Sequence, residues 1–199
     1  MVRMNQIVKT AISKNYYVID NEVYDKRKKN NKKLDLNDVK TKIKIYSDRV
    51  GGWFLKIGEN LKKNNEAGFV ILSIAIAYIE GNQQFREGKL SENNSKKFFI
   101  KGLRRIFDKE NVSEDILKDY YKQVRCGLFH DGITKSNVLI SGDFQEPLRY
   151  INGIIKINPH KFLDKIKEDF QRYVNDLEQD YDKKLTSNFI KMFDLESKI

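Results

Sequence analysis

The side chains best suited to chemistry gather in one stretch near the middle of the chain, Tyr120-Tyr121-Lys122-Gln123-Val124-Arg125-Cys126-Gly127-Leu128-Phe129-His130-Asp131-Gly132. An imidazole, with a reference pKa near 6.5, takes up and returns protons near neutral pH. A guanidinium offers a rigid fork of donors to an oxyanion that gains charge. His130 and Arg125 together therefore supply an acid/base and an anion stabiliser. Cys126, beside the arginine, reads as a small hydrophobe rather than a nucleophile. Asp131, next to the imidazole, and Glu80, on an earlier apolar helix, are the acids placed to orient either cation. Each is equally a solvated residue. Arg125 is equally a structural arginine paired with one of these acids, and His130 a helix-end histidine facing the last carbonyls.

Other chemistries find no support. The sequence holds no G-x-x-x-x-G-K-[ST] phosphate loop and no dinucleotide glycine motif. Two histidines and one cysteine are too few for a structural zinc site, and no nucleophile elbow occurs. No cofactor is implied. His160, the other histidine, follows Asn158-Pro159 and reads as a surface residue.

The stretch must be positioned by helices. Leu36, Val39, Ile43, Tyr46, Val50, Trp53, Ile57 and Leu61 step by three and four, as one helical face demands. Asp35 or Asn37 can cap that helix, and Gly51-Gly52 in its middle calls for close packing or a kink. The apolar run 68–79 predicts a helix from about Glu66 to Gly81, buried inside a bundle. A third helix spans about Asn94 to Asp108, with Phe99, Leu103 and Ile106 inward and Lys96, Lys97, Lys101, Arg104 and Arg105 on the opposite face. Ser113 starts the motif helix, Leu117, Tyr121, Val124 and Leu128 line its apolar stripe, and Gly132 ends it. On an ideal α-helix Arg125 and His130 are separated by about 140°. Phe129 and Cys126 fall outside the stripe, so a further layer of this chain or a second subunit must cover them. Tyr120, Tyr121 and Phe129 are candidates for stacking on bases, although Tyr121 lies on the core stripe and Phe129 also suits a dimer contact.

Asn152-Gly153 between β-rich runs predicts a hairpin. Asn158-Pro159 then caps a long helix through Leu163, Ile166, Phe170, Val174, Leu177 and Tyr181, and a last helix covers about Thr186 to Ser197. Residues 1–34 read as an N-terminal arm, partly mobile, with some apolar anchors from Ile7 to Tyr24. The charged run Lys26–Lys33 is a solvated loop or a phosphate-gripping arm.

The chain has 199 residues, 40% hydrophobic, enough for one domain with its own core. The net charge is +10, which draws polyanions, nucleic acid foremost. A Lys- and Asn-rich composition gives the same charge without any binding surface. A lone cysteine points to a reducing, cytoplasmic setting, and the longest apolar run is too short for a membrane span.

Arg125 and His130 form an Arg-x4-His pair near the end of a helix, and this resembles the HEPN superfamily, marked by Arg-x(4–6)-His. The buried helix before the pair, the glycine after it, the hairpin and the Asn-Pro-started helix extend the likeness over about residues 65–182. The resemblance implies a mainly all-α, HEPN-like helical bundle over 35–199, with a small β-hairpin inserted before the long C-terminal helix. It implies a homodimer through the Arg125–His130 helix and a metal-independent endoribonuclease of RNA processing, toxin–antitoxin or antiviral defence type, with an antitoxin or regulatory protein as a further partner. In that chemistry a base removes the proton of an RNA 2′-hydroxyl, which attacks its own phosphate and leaves a cyclic 2′,3′-phosphate. His130 is then the acid/base and Arg125 the phosphate stabiliser, with Glu80, Cys126 and Asp131 supporting. Lys97, Lys101, Arg104, Arg105 and Lys122 are the candidates to hold the RNA backbone, the basic stripe of the third helix being otherwise solvent-exposed decoration. Many active members carry Asn, Asp or His where Cys126 stands. That departure supports the alternative, a non-catalytic module binding RNA or protein.

Overall fold

The computed structural model describes residues 9–28, 32–107 and 112–196. Ile7, the centre of the Lys26–Lys33 run, Asp108 and Ser197 lie outside the described residues. Seven α-helical segments and two small sheets make up this part of the chain. The mainly helical class expected from the sequence holds.

The segment expected to be a partly mobile arm contributes an antiparallel sheet. β1 (Thr10–Ala11), β2 (Tyr16–Ile19), β3 (Glu22–Asp25) and β4 (Lys32–Lys33) pair in chain order. Asp20 and Asn21 both take positive φ, the backbone that a two-residue hairpin turn requires. Tyr16 and Val23 are buried in the common core. The sheet is tied to α1 (Val39–Val50) by Asp48, which accepts from Ser13 Oγ at 2.6 Å and from Asn15 N at 2.7 Å. Arg49 Nε also donates to the Ile12 carbonyl at 2.8 Å.

Asp38, not Asp35 or Asn37, caps α1, accepting from the amides of Lys40 and Thr41. The double glycine opens a π-helical turn, Gly51–Leu55, that continues into α2 (Lys56–Leu61). One extra residue in a turn rotates everything after it. Trp53 and Ile57, expected on the buried stripe, are 46% and 47% exposed, while Leu55 and Gly58 face inward. A Cβ at Gly52 would lie 3.0 Å from Lys14 Cβ, so the glycine lets the sheet approach.

α3 (Gly68–Glu87) is the central helix and packs against α2, α4 (Ser95–Ile106), α6 (Pro159–Gln179) and α7 (Lys183–Glu196). It runs two turns beyond the predicted end, closing at Gly88 in the left-handed conformation. Tyr46, Phe85, Phe170 and Phe189 form an aromatic cluster beside it. α5 (Glu114–Asp119), capped by Ser113, leads into the motif stretch. The Asn152-Gly153 hairpin joins β6 (Leu148–Ile151) to β7 (Ile154–Ile157), both turn residues at positive φ. β5 (Val138–Ile140) adds in parallel to β7, a pairing no local signal announces. Asn158 then accepts from His160 N and Lys161 N and holds Pro159 at the first position of α6.

Candidate functional site

The motif residues do not lie on an ordinary α-helix. Tyr120–Asp131 is a π-helix, twelve residues long, ending on Gly132 at φ 72°. Such helices are rare and usually last one turn, frequently at functional sites. The i→i+5 ladder widens each turn, so residues five apart lie closer in angle than they do in an α-helix. The separation of about 140° expected for Arg125 and His130 is narrowed by this wider turn.

Glu80 organises the arginine. Its Oε2 lies 3.1 Å from Arg125 Nη2 and accepts from Ser95 Oγ at 2.7 Å, while Oε1 accepts from Ser91 Oγ at 2.6 Å. Tyr121 OH donates to Ser95 Oγ at 3.3 Å. Arg125 lies 5.6 Å from the Tyr121 ring centre and 5.1 Å from that of Phe129, within cation–π range. Its side chain keeps 20% exposure. The guanidinium is thus held by one carboxylate and two rings, with a solvent-facing edge.

His130 is exposed in the last turn, and Phe129 beside it is 50% exposed. Asp131 pairs with Lys135 at 2.8 Å, which holds its carboxyl below the usual range. Cys126 is half-buried. Gly127 has a definite reason to be glycine. A Cβ there would meet the Ile133 carbonyl oxygen at 2.6 Å and Lys135 N at 3.1 Å. The chain doubles back over this position, and Lys135 N donates to the Gln123 carbonyl at 2.9 Å.

Tyr120 is 2% exposed and packs on Tyr150, so it cannot stack on a base; burial pushes its hydroxyl well above the usual range. Tyr121 is half-buried against Phe99. Lys97 and Lys101 are exposed on α4 and Lys122 on the π segment. Arg104 pairs with Glu114 at 3.2 Å. Arg105 is a correction: its guanidinium turns inward onto Asp169, which is 2% exposed, so it is not part of the basic face. His160 lies half-buried at the start of α6.

Asp169 is the residue the sequence reading missed. Besides Arg105 it accepts from Tyr78 OH at 2.8 Å and faces Arg86 at 3.6 Å. Arg86 Nε in turn donates to Asn82 Oδ1 at 2.9 Å and lies over the Tyr173 ring. A signal was present: Asp169 falls between Ile166, Phe170 and Tyr173 in the apolar phase of its helix, where a charge demands a buried partner. Among the described residues no three His, Cys, Asp or Glu side chains gather to hold a metal, and no helix is long and apolar enough to cross a membrane.

Comparison with family models, curated proteins and solved structures finds no match.

Proposed function

We propose that this chain is a HEPN-type, metal-independent endoribonuclease that acts as a homodimer. The observation that supports the reading is the π segment, whose wider turn narrows the angle between Arg125 and His130, together with an imidazole open to solvent. His130 takes the proton of an RNA 2′-hydroxyl, whose oxygen attacks the adjacent phosphorus. The bond from phosphorus to the 5′ oxygen breaks, a proton passes to that leaving oxygen, and a cyclic 2′,3′-phosphate remains. Arg125, aimed by Glu80, stabilises the charge on the phosphoryl oxygens. Phe129 and Ile133, 50% and 61% exposed, are the apolar surface that a second copy would cover, and the basic face of α4 gives the RNA backbone its counter-charge.

The ion pair between Arg125 and Glu80 favours a second reading. A guanidinium already neutralised by a carboxylate is a poorer phosphate ligand, and Cys126 offers no polar help. On these grounds the alternative is a module that binds RNA or protein without cutting. Cleavage of a labelled RNA pool in excess EDTA separates the two, with wild type beside His130→Ala and Arg125→Ala. Cutting by wild type alone, leaving cyclic phosphate ends, supports the nuclease. No cutting by any of them refutes it.

A further inference from the structure

Basic side chains also converge away from the motif, where α3 ends against α7. Arg86, Lys89, Lys184 and Lys191 line an open cleft of about 410 Å³ together with Glu87, Gly88 and Asn188. The cleft is built rather than incidental. Asn188 Nδ2 donates to the Arg86 carbonyl at 2.7 Å, and Gly88, at φ +62°, leaves no room for a Cβ against Asn188 Oδ1. Arg86 is anchored by Asn82 and by the Tyr173 ring. Glu87, the one acid, is already held by Lys101 at 2.9 Å and by Gln83 at 3.0 Å. Lys89, Lys184 and Lys191 carry no ion pair among the described residues. Three ammonium groups outside any ion pair in one concavity raise the local potential and favour a polyanion.

The Lys101–Glu87 pair is also a junction. Lys101 lines a second cleft, about 440 Å³, with Lys96, Lys97 and Arg104 of α4, and Arg104 Nε there is a buried donor without a partner. At its other end α4 begins at Ser95, which donates to the same Glu80 that holds Arg125. Eight cations and two acids therefore line two clefts that meet at one ion pair, on a path leading back to the motif.

We propose that the α3–α7 cleft is a phosphate-binding site for the backbone of single-stranded RNA, continuing the α4 groove away from Arg125 and His130. The proposal rests on the ribonuclease reading for its choice of polyanion. Its ligand class is a sugar–phosphate chain held by charge, without base readout.

The test uses the full-length protein carrying His130→Ala, so that RNA survives, and a labelled single-stranded RNA twelve-mer followed by fluorescence anisotropy from 50 to 200 mM salt. Lys184→Gln/Lys191→Gln is compared with Lys56→Gln/Lys63→Gln, which removes the same charge from exposed positions beside the other end of α3. Losing two phosphate contacts lowers the slope of log affinity against log salt by about 1.4, and affinity at 0.1 M salt by on the order of tenfold. The control pair leaves both nearly unchanged. Equal behaviour of the two double variants overturns the proposal, and so does a parent that fails to bind RNA. RNA binding through Lys184 and Lys191 in a protein whose wild type cuts nothing would sustain this site while refuting the nuclease.

Discussion

Gly127→Ala sets two effects of opposite sign against each other. Alanine is the better helix former, by about 1 kcal/mol. The structure opposes it, because the new methyl would stand 2.6 Å from the Ile133 carbonyl oxygen and 3.1 Å from both Lys135 N and Thr134 Cα. All three neighbours are backbone, so no side chain can swing aside. The returning loop must lift, and the bond from Lys135 N to the Gln123 carbonyl is strained or lost, costing about 1 kcal/mol. Overpacking adds about 1–3 kcal/mol. The net is a loss of about 1–3 kcal/mol, or roughly 2–12 °C in Tm for a chain of this size. Gly81→Ala is the control, since a Cβ there meets nothing within 4 Å. It carries only the helix gain and stabilises by about 0.5–1 kcal/mol. Urea unfolding followed by far-ultraviolet circular dichroism measures both. If Gly127→Ala stabilises as Gly81→Ala does, the close return of the chain over the motif helix is wrong.

Other substitutions test the polar framework. Asp169→Asn leaves Arg105 and Arg86 facing each other without their carboxylate and costs about 3–5 kcal/mol, read as a lower urea midpoint or as insoluble protein. Glu80→Ala removes the acceptor for Ser91, Ser95 and Arg125 together and costs about 2–4 kcal/mol, whereas Glu80→Gln, which keeps an acceptor for the hydroxyls, costs less than half as much in the same assay. Burial raises the hydroxyl of Tyr46 to about 12 and pushes those of Tyr78 and Tyr173 well above the usual range. Because the folded values exceed the unfolded value near 10, their contribution is complete below pH 10 and is lost as pH rises through 12. Thermal unfolding between pH 9 and 12 checks the fall, and a flat Tm across that range would contradict it.

Much of the helical frame was legible because its signals are local. Ser113, Asn158-Pro159, Gly132 and Asn152-Gly153 each act on backbone groups within a few residues, and each sits where its chemistry predicts. The Arg125–His130 pair was equally legible as a choice of residue types. Three features were not. The i→i+5 registers at Gly51–Leu55 and Tyr120–Asp131 change which residues are neighbours without changing the sequence pattern. They turn Trp53 and Ile57 outward and narrow the angle between Arg125 and His130. The partner of Arg125 lies forty-five positions away, and Arg105 finds Asp169 sixty-four away; periodicity says which face a residue is on, not what stands opposite. β5 joins β7 by a parallel pairing that no hairpin turn announces. The sequence by itself determined helix starts and ends, the hairpin and the chemical repertoire of the site, because capping, turn geometry and residue type are short-range properties. Only the tertiary structure decided helix register, the pairing of buried charges and the meeting of the two basic clefts, because these depend on packing between segments far apart in the chain.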